Sequence, residues 1–381
     1  MPKLLLIARD FPPAVNGLAA HSHFMVEILS SQFSSITVIC ERRQNGDDGF
    51  ASCTCNLDIV TFSSQSELRH IVLNLIKVEP PDVVLLQYVP HMWGRAGVAP
   101  YIVVLLAQIR LSVGVPVITF VHEMFYDWSW SPKRALLSLI HRAQLLAVGS
   151  LSKTIIVTNE YRRRKLSKHW PSKVCRVPAG NVSARKDECL RRKFFNWPCI
   201  VWFGTLSEGQ RLEQLVKAFC LVAAEVKQLR LVLVGAFDVD GSQFTLLQEI
   251  CQEHGCSKRL VVHGYASDDD ISDILSNSVA CVHVNKSGPS GRRSVIAAYA
   301  RSGRPMICID GHETDPEFHD RENVLLIDDG DIDGTAQAIL SVIEDQTLSD
   351  RLAIGAKDLY MENWSDNAIR ERLVSILGVY Y

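Results

Sequence analysis

Residues 284–309 read VNKSGPSGRRSVIAAYARSGRPMICI and carry the densest chemistry in this 381-residue chain. A turn of Gly288, Pro289, Ser290 and Gly291 leads out of a strand end. The spacing then predicts Arg292 and Arg293 on the first turn of a helix whose apolar positions include Val295, Ile296, Ala298 and Tyr299. Gly303 and Pro305 stop that helix, and residues 306–309 form a short buried strand. Backbone N–H groups at a glycine turn, the positive end of a helix and two guanidinium groups together attract an anion, above all a phosphate or diphosphate. Ser290, Gly291, Arg292, Arg293 and Ser294 are the candidate residues. The alternative is an ordinary turn with two solvated arginines.

A second constellation lies in the first half. His122 and Glu123 end the strand expected at residues 115–121, where a histidine can hydrogen-bond a hydroxyl or phosphate or titrate near neutrality. The same sheet edge should carry the loop ending at Gly17, a glycine that lets backbone approach a ligand. It should also carry the aromatic loop 88–97, with Tyr88, His91 and Trp93, and the stretch 124–134, with Phe125, Tyr126, Trp128 and Trp130. These rings would stack on a sugar or another ring, or else form an apolar patch that covers the domain.

Such residues need a scaffold, and the chain supplies it twice. Apolar runs at 4–8, 36–40, 59–62, 83–87, 115–121, 154–158 and 174–177 alternate with helical segments at 18–29, 67–77, 132–148 and 161–168. Near-continuous apolar strands are those covered on both faces in a parallel sheet. After a polar stretch at 180–196, read as a linker, the alternation restarts with strands at 200–203, 229–234, 260–263 and 279–284. Helices are expected at 212–225, 245–254, 333–344, 349–360 and 364–377, the last opened by Ser365. The fold class is therefore α/β, with two facing, doubly wound parallel-sheet domains and a ligand at their sheet edges. The expected division is 1–180, 181–362 and a C-terminal helix at 363–381.

Composition fits a soluble globular protein of more than one domain, with 47% hydrophobic and 22% charged residues. A net charge of -2 conceals an asymmetry: residues 1–180 carry +7 and the remainder -9. Much of the positive excess lies in the run from Arg162 to Lys173, which would contact an anionic lipid surface or a phosphorylated substrate, or form a solvated helix face. Eleven scattered cysteines and the lack of a signal peptide point to a reducing cytoplasm, with the protein at most peripheral to a membrane. Cys251, His254 and Cys256 lack a second pair at zinc spacing, and Asp268, Asp269 and Asp270 read as helix N-terminal charge after Ser267, so no metal is expected. The apolar run 98–109, interrupted by Pro100, is too short to span a bilayer.

The order and spacing of PheProProAlaValAsnGly, LeuGlnTyrValProHisMetTrpGly, ThrPheValHisGlu, ValTrpPheGlyThrLeuSerGluGlyGlnArgLeu, ValValHisGlyTyr and SerGlyArgProMetIle resemble the GT-B fold glycosyltransferases of family 4 over nearly the whole chain. The resemblance implies a retaining, metal-independent enzyme. It would move a sugar from a nucleotide-diphosphate donor to a small-molecule or lipid-linked acceptor, with no nucleic acid involved. By position, Gly17 would approach the donor diphosphate and His122, with Glu123, the transferred sugar. Gly204, Thr205, Gln210 and Arg211 would line the diphosphate side. His263, Gly264 and Tyr265 would hold the base, and Tyr88, His91, Trp93 and Tyr126 would meet the acceptor. The terminal helix would cross back onto the first domain. No side chain presents itself as a covalent nucleophile, so front-face substitution is implied.

The departures are as informative. The family's arginine and lysine positions hold Thr205 and Gln210, and its two glutamates seven residues apart fall on Ser290 and Ala298. Arg292 and Arg293 would replace the missing cations at the same helix start. Two other readings remain at this stage: a non-catalytic sugar-nucleotide binder, and an enzyme using the fold for an unusual donor or coupling.

Overall fold

The computed structural model describes residues 1–14, 16–42, 56–112, 114–125, 128, 130–180, 193–206, 209–235 and 241–378. The chain divides into two compact units. One comprises Met1–Thr158, Arg162–Val177 and the chain from Ile369 onward; the other comprises Asn159–Tyr161 and Pro178–Ala368. Most of the expected linker, 181–192, lies outside the described residues, as does Tyr126.

The first unit is built on strands β1 (Lys3–Ile7), β2 (Ser35–Glu41), β3 (Asn56–Phe62), β4 (Val83–Tyr88), β5 (Val117–Val121), β6 (Thr154–Val157) and β7 (Val174–Arg176). They form one sheet in the order β3-β2-β1-β4-β5-β6-β7, and every pairing is parallel. Its helices are α1 (Gly17–Leu29), α2 (Gln65–Val78), the single turn α3 (Pro90–Trp93), α4 (Pro100–Ser112), α5 (Pro132–Leu151) and α6 (Glu160–Ser167), the last beginning in the other unit. β4 and β5 are buried at every position, which is why the sequence shows no alternation there. Pro100 begins α4 rather than interrupting it, since a first-turn proline loses no hydrogen bond. Among the described residues no helix is long and apolar enough to cross a membrane.

The second unit repeats the plan with β8 (Cys199–Phe203), β9 (Arg230–Val234), β10 (Leu260–Gly264), β11 (Ala280–His283), β12 (Met306–Ile309) and β13 (Leu325–Ile327). Their order is β10-β9-β8-β11-β12-β13, again all parallel. The helices are α7 (Leu212–Glu225), α8 (Ser242–Glu253), α9 (Asp268–Ser276), α10 (Ser294–Ser302), α11 (Ile332–Glu344) and α12 (Gln346–Asn363); α13 (Asp366–Leu377) ends the described chain. Ser267 caps α9 by accepting the Asp270 N–H at 3.2 Å, so the three aspartates serve the helix end as expected. In each sheet the strand order reverses beside the first strand, between β1 and β4 and between β8 and β11. These are the switch points at whose C-terminal side open α/β sheets hold ligands.

The strand ends around the second switch point are laced together. Gly204 donates its N–H to Val234 O at 3.0 Å, and Gly235 donates to Gly264 O at 2.8 Å. Gly235 has φ +135°, and a Cβ there would lie 1.8 Å from Gly204 O. Only glycine allows β8 and β9 to end in such contact.

Candidate functional site

In the second unit the polar groups gather past the end of β11. Residues 209–211 run back along 284–286: Arg211 N–H donates to Val284 O at 2.7 Å, Lys286 N–H to Gly209 O at 3.0 Å, and Gln210 bridges Asn285. The following turn is clamped by the loop after β12. Gly291 N–H donates to Asp315 Oδ2 at 2.7 Å, Asp315 N–H to Pro289 O at 3.1 Å, and Glu313 N–H to Ser287 O at 2.8 Å. Gly288 (φ +88°) fits tightly there, for a Cβ would stand 2.9 Å from Gly311 N.

This arrangement corrects the sequence expectation in two respects. α10 begins at Ser294, and Arg293 is an extended residue before it (φ -109°, ψ 110°), so neither arginine lies on the helical first turn. The Arg293 N–H closes a turn onto Ser290 O at 3.1 Å, which delays the helix by one step. The glycine turn also spends its N–H groups internally, Gly288 on Asn285 O and Gly291 on Asp315. An anion here would meet side chains more than a nest of amides.

Those side chains are unusual in being buried and under-satisfied. His283 Nε2, Asn285 Nδ2, Ser290 Oγ, Arg293 Nε and Gln210 Oε1 are buried atoms with no hydrogen-bond partner among the described residues. A buried polar group without a partner costs about 1–3 kcal/mol, so five around one strand end mark a place suited to a polar ligand. Arg293 is fixed by one bond, Nη2 to Asn285 Oδ1 at 2.9 Å, and Arg292 pairs with the buried Glu313 at 3.4 Å. Burial, then the Arg292 charge beside it, holds the Arg293 guanidinium below its ordinary pKa, while Glu313 opposes them. Burial, then the Arg293 charge, lowers His283 to about 3, so its imidazole is neutral. Glu313 and Asp315 were missed by motif reading; the acidic loop after a strand end was their only signal. Ala298, where a family glutamate would stand, is packed in the core.

The remaining candidates of this unit lie around that centre. Gly204 and the exposed Thr205 follow β8. The Arg211 guanidinium makes a two-point pair with Asp329 at 2.6 and 2.9 Å, which directs it to a carboxylate on its own unit. His263 and Gly264 end β10, and Tyr265 is 85% exposed. His263 packs its ring 5.4 Å from that of Phe194.

In the first unit, His122 follows β5 and lies over Phe120, with ring centroids 4.6 Å apart. Its Nε2 hydrogen-bonds Gln87 Oε1, and its carbonyl accepts from Arg162 Nη1. His21, one turn into α1, meets His122 edge-on at 4.6 Å. Sequence reading missed His21 and Gln87; the signal was His21's place four residues after Gly17. Both His21 ring nitrogens are buried without a hydrogen-bond partner, and burial lowers its pKa to about 4. His122 is held well below its ordinary value by burial first, then by His21 and Arg162. Both rings are thus neutral at pH 7, and with Gln87 accepting from Nε2–H, His122 Nδ1 is left as an acceptor. Glu123 is half-buried beside it. Gly17 is the first residue of α1, capped by Asn16, and a Cβ there would meet nothing within 4 Å.

Two of the expected acceptor residues, Tyr88 and Trp93, lie in the core. Tyr88 is fully buried, accepts from Gln144 Nε2 at 2.8 Å and is raised by burial to about 12. Trp93 is 1% exposed and donates Nε1–H to Gln87 O at 2.8 Å. Both belong to the core because their polar tips find partners inside it. His91 is exposed, with its ring 5.4 Å from that of His141. The basic run is also divided: Arg162 is buried, and Lys173 donates to the Ser152 carbonyl at 3.1 Å, just past α5. Cys251 and Cys256 converge with Cys220, not with His254, their sulfurs within 4.8 Å of one another. Burial raises Cys256 to about 11, keeping the thiol protonated, and all three lie within the hydrophobic core beneath α7 and α8.

Residues 194–359, almost all of the second unit, match the model of the family described as glycosyl transferases group 1. The chain is similar to the lipopolysaccharide core biosynthesis glycosyltransferase LpsE of Rhizobium meliloti, at 26% identity over 181 residues, covering 48% of this chain and only 50% of that relative. It is also similar to the GDP-mannose-dependent alpha-(1-6)-phosphatidylinositol monomannoside mannosyltransferase of Mycobacterium tuberculosis, at 18% identity over 99% of this chain and 98% of the relative. Among solved structures, Anabaena HepE in complex with UDP superposes with a TM-score of 0.72 at 15% identity, covering both chains entirely. With two all-parallel α/β units, the match to the group 1 model and these likenesses, the fold is GT-B.

Proposed function

We propose that the chain is a retaining glycosyltransferase that takes a sugar from a nucleoside diphosphate donor and passes it to a small-molecule or lipid-linked acceptor. The observation that carries this reading is the cluster at the end of β11, within the segment that matches the group 1 model: Arg293, His283, Asn285, Ser290 and Gln210 hold buried polar atoms whose hydrogen-bonding capacity is unfilled among the described residues, with Arg292 beside them. A diphosphate supplies the acceptors that Arg293 Nε, Asn285 Nδ2 and Ser290 Oγ–H require, and the charge that the desolvated guanidinium lacks.

The sheet provides the span for the rest of the donor. β10 and β11 are three strands apart, about 14 Å at ordinary strand spacing, so a base at His263 to Tyr265 and phosphates at Ser290 to Arg293 fit one extended nucleotide. In the reaction the bond from sugar C1 to the phosphate oxygen breaks and a bond from C1 to the acceptor oxygen forms on the same face. The acceptor proton goes to the departing phosphate. Negative charge grows on the diphosphate as it leaves, and Arg292 and Arg293, oriented by Glu313 and Asn285, stabilise it there without a resident metal.

Release of UDP or GDP from a panel of their sugars, followed in the presence of glycan and lipid-linked acceptors, tests this reading. We expect one donor to be consumed, with the anomeric configuration kept in the product by NMR. Inertness toward every donor, or an inverted product, would contradict it.

A further inference from the structure

Helix α5 is folded with a stripe of leucines outward. Its buried side carries the polar Ser138, His141 and Gln144 together with Leu145 and Val148, while Leu136, Leu139 and Leu146 are 59, 52 and 42% exposed. The three leucines recur at helical spacing on one line. The inversion has a local cause. Gln144 accepts the Ala99 N–H at 2.7 Å and donates to the Tyr88 hydroxyl, and His141 Nε2 bonds the Ala96 carbonyl at 2.7 Å. The polar side is thus needed inward to satisfy the 96–99 loop, and the leucines are left in water.

Three further observations lie on the same side of the first unit. Trp128 and Trp130, just before α5, are 59 and 97% exposed. A mostly apolar cavity of about 360 Å³ opens beside the stripe, sharing Leu146 with it, walled by Phe125, Leu145 and Trp170 and edged by Arg142 and Lys165. Finally, Lys133 and Arg134 are exposed at the start of α5, and with Arg142 and Lys165 at the cavity edge they put four cations beside the stripe.

We infer that this face, formed by α5, the tryptophans before it and α6, is a docking surface for an anionic lipid bilayer. Leucines and tryptophans enter the acyl–headgroup boundary, where tryptophan is favoured, and the surrounding cations face the lipid phosphates. The cavity between Leu146 and Trp170 receives part of one lipid. Charge complementarity selects this occupant: the stripe and cavity are bordered by the cations Lys133, Arg134, Arg142 and Lys165, as an anionic headgroup layer favours. The inference stands apart from the donor site, which lies in the other unit.

The test is co-sedimentation of the full chain with phosphatidylcholine vesicles, with and without phosphatidylglycerol, at low and raised salt. We expect binding only when phosphatidylglycerol is present, weakening with salt. The Trp130→Ser/Leu136→Ser/Leu139→Ser variant should lose partitioning by about tenfold or more. Lys133→Glu/Arg134→Glu should lose it with the thermal transition unchanged, because these side chains are exposed. No binding to phosphatidylglycerol vesicles, or equal binding to both compositions, would overturn the inference. So would a dimer, seen by light scattering, that the triple variant abolishes, since the face would then belong to a second copy.

Discussion

Replacing Arg293 by alanine is expected to weaken nucleoside diphosphate binding by about tenfold to a hundredfold, the worth of a charge-assisted hydrogen bond to phosphate. Calorimetric titration of the variant beside the wild type measures it. The same substitution should leave the thermal transition almost unchanged. The guanidinium is disfavoured in the unliganded protein, by burial and by Arg292, and its one hydrogen bond is to Asn285. Removing it relieves one cost and creates another of similar size. Loss of affinity without loss of stability distinguishes a ligand-binding arginine from a structural one. Arg293→Lys should fall between, since it keeps the charge but not the planar fork. Unchanged affinity in Arg293→Ala would remove Arg293 from the donor site.

The second large effect is on stability. Gly235→Ala should destabilise the second unit by about 4 kcal/mol, from left-handed backbone strain together with overpacking. The new Cβ would fall 1.8 Å from Gly204 O and 3.0 Å from Gly204 C, both backbone atoms that cannot rotate away. To make room, β8 and β9 must part where Gly204 N–H bonds Val234 and Gly235 N–H bonds Gly264. For a unit of this size the melting temperature should fall by about 10 °C. A transition within about 2 °C of wild type would show that the strand ends are slacker than this packing implies.

The scaffold was legible in the sequence because parallel strands buried on both faces read as unbroken apolar runs, and helix stops such as Gly303 are local signals. The site was legible only where it is local. Residues 288–293 stand together in the chain and could be picked out. Glu313 and Asp315 reach the same turn from the loop after β12, through bonds that no spacing rule foretells. His21 meets His122 across about a hundred residues, and Gln87 reaches it from the neighbouring strand. Arg292 and Arg293 were placed on the helix because propensity does not register the Ser290 carbonyl that holds Arg293 back. Tyr88 and Trp93 looked like surface aromatics because periodicity cannot say whether a polar tip finds a buried partner. α5 shows the same limit: its pattern reveals two faces, and only the 96–99 loop decides which turns inward.

The end of β11 is the proposed seat of a donor diphosphate, and the most direct measurement is a crystal structure of the chain with UDP or GDP bound. The phosphate oxygens should lie within hydrogen-bond distance of Arg293 Nε and Ser290 Oγ, with the base toward His263 to Tyr265. A diphosphate bound elsewhere, with Asn285, Ser290 and Arg293 untouched at saturation, would contradict it.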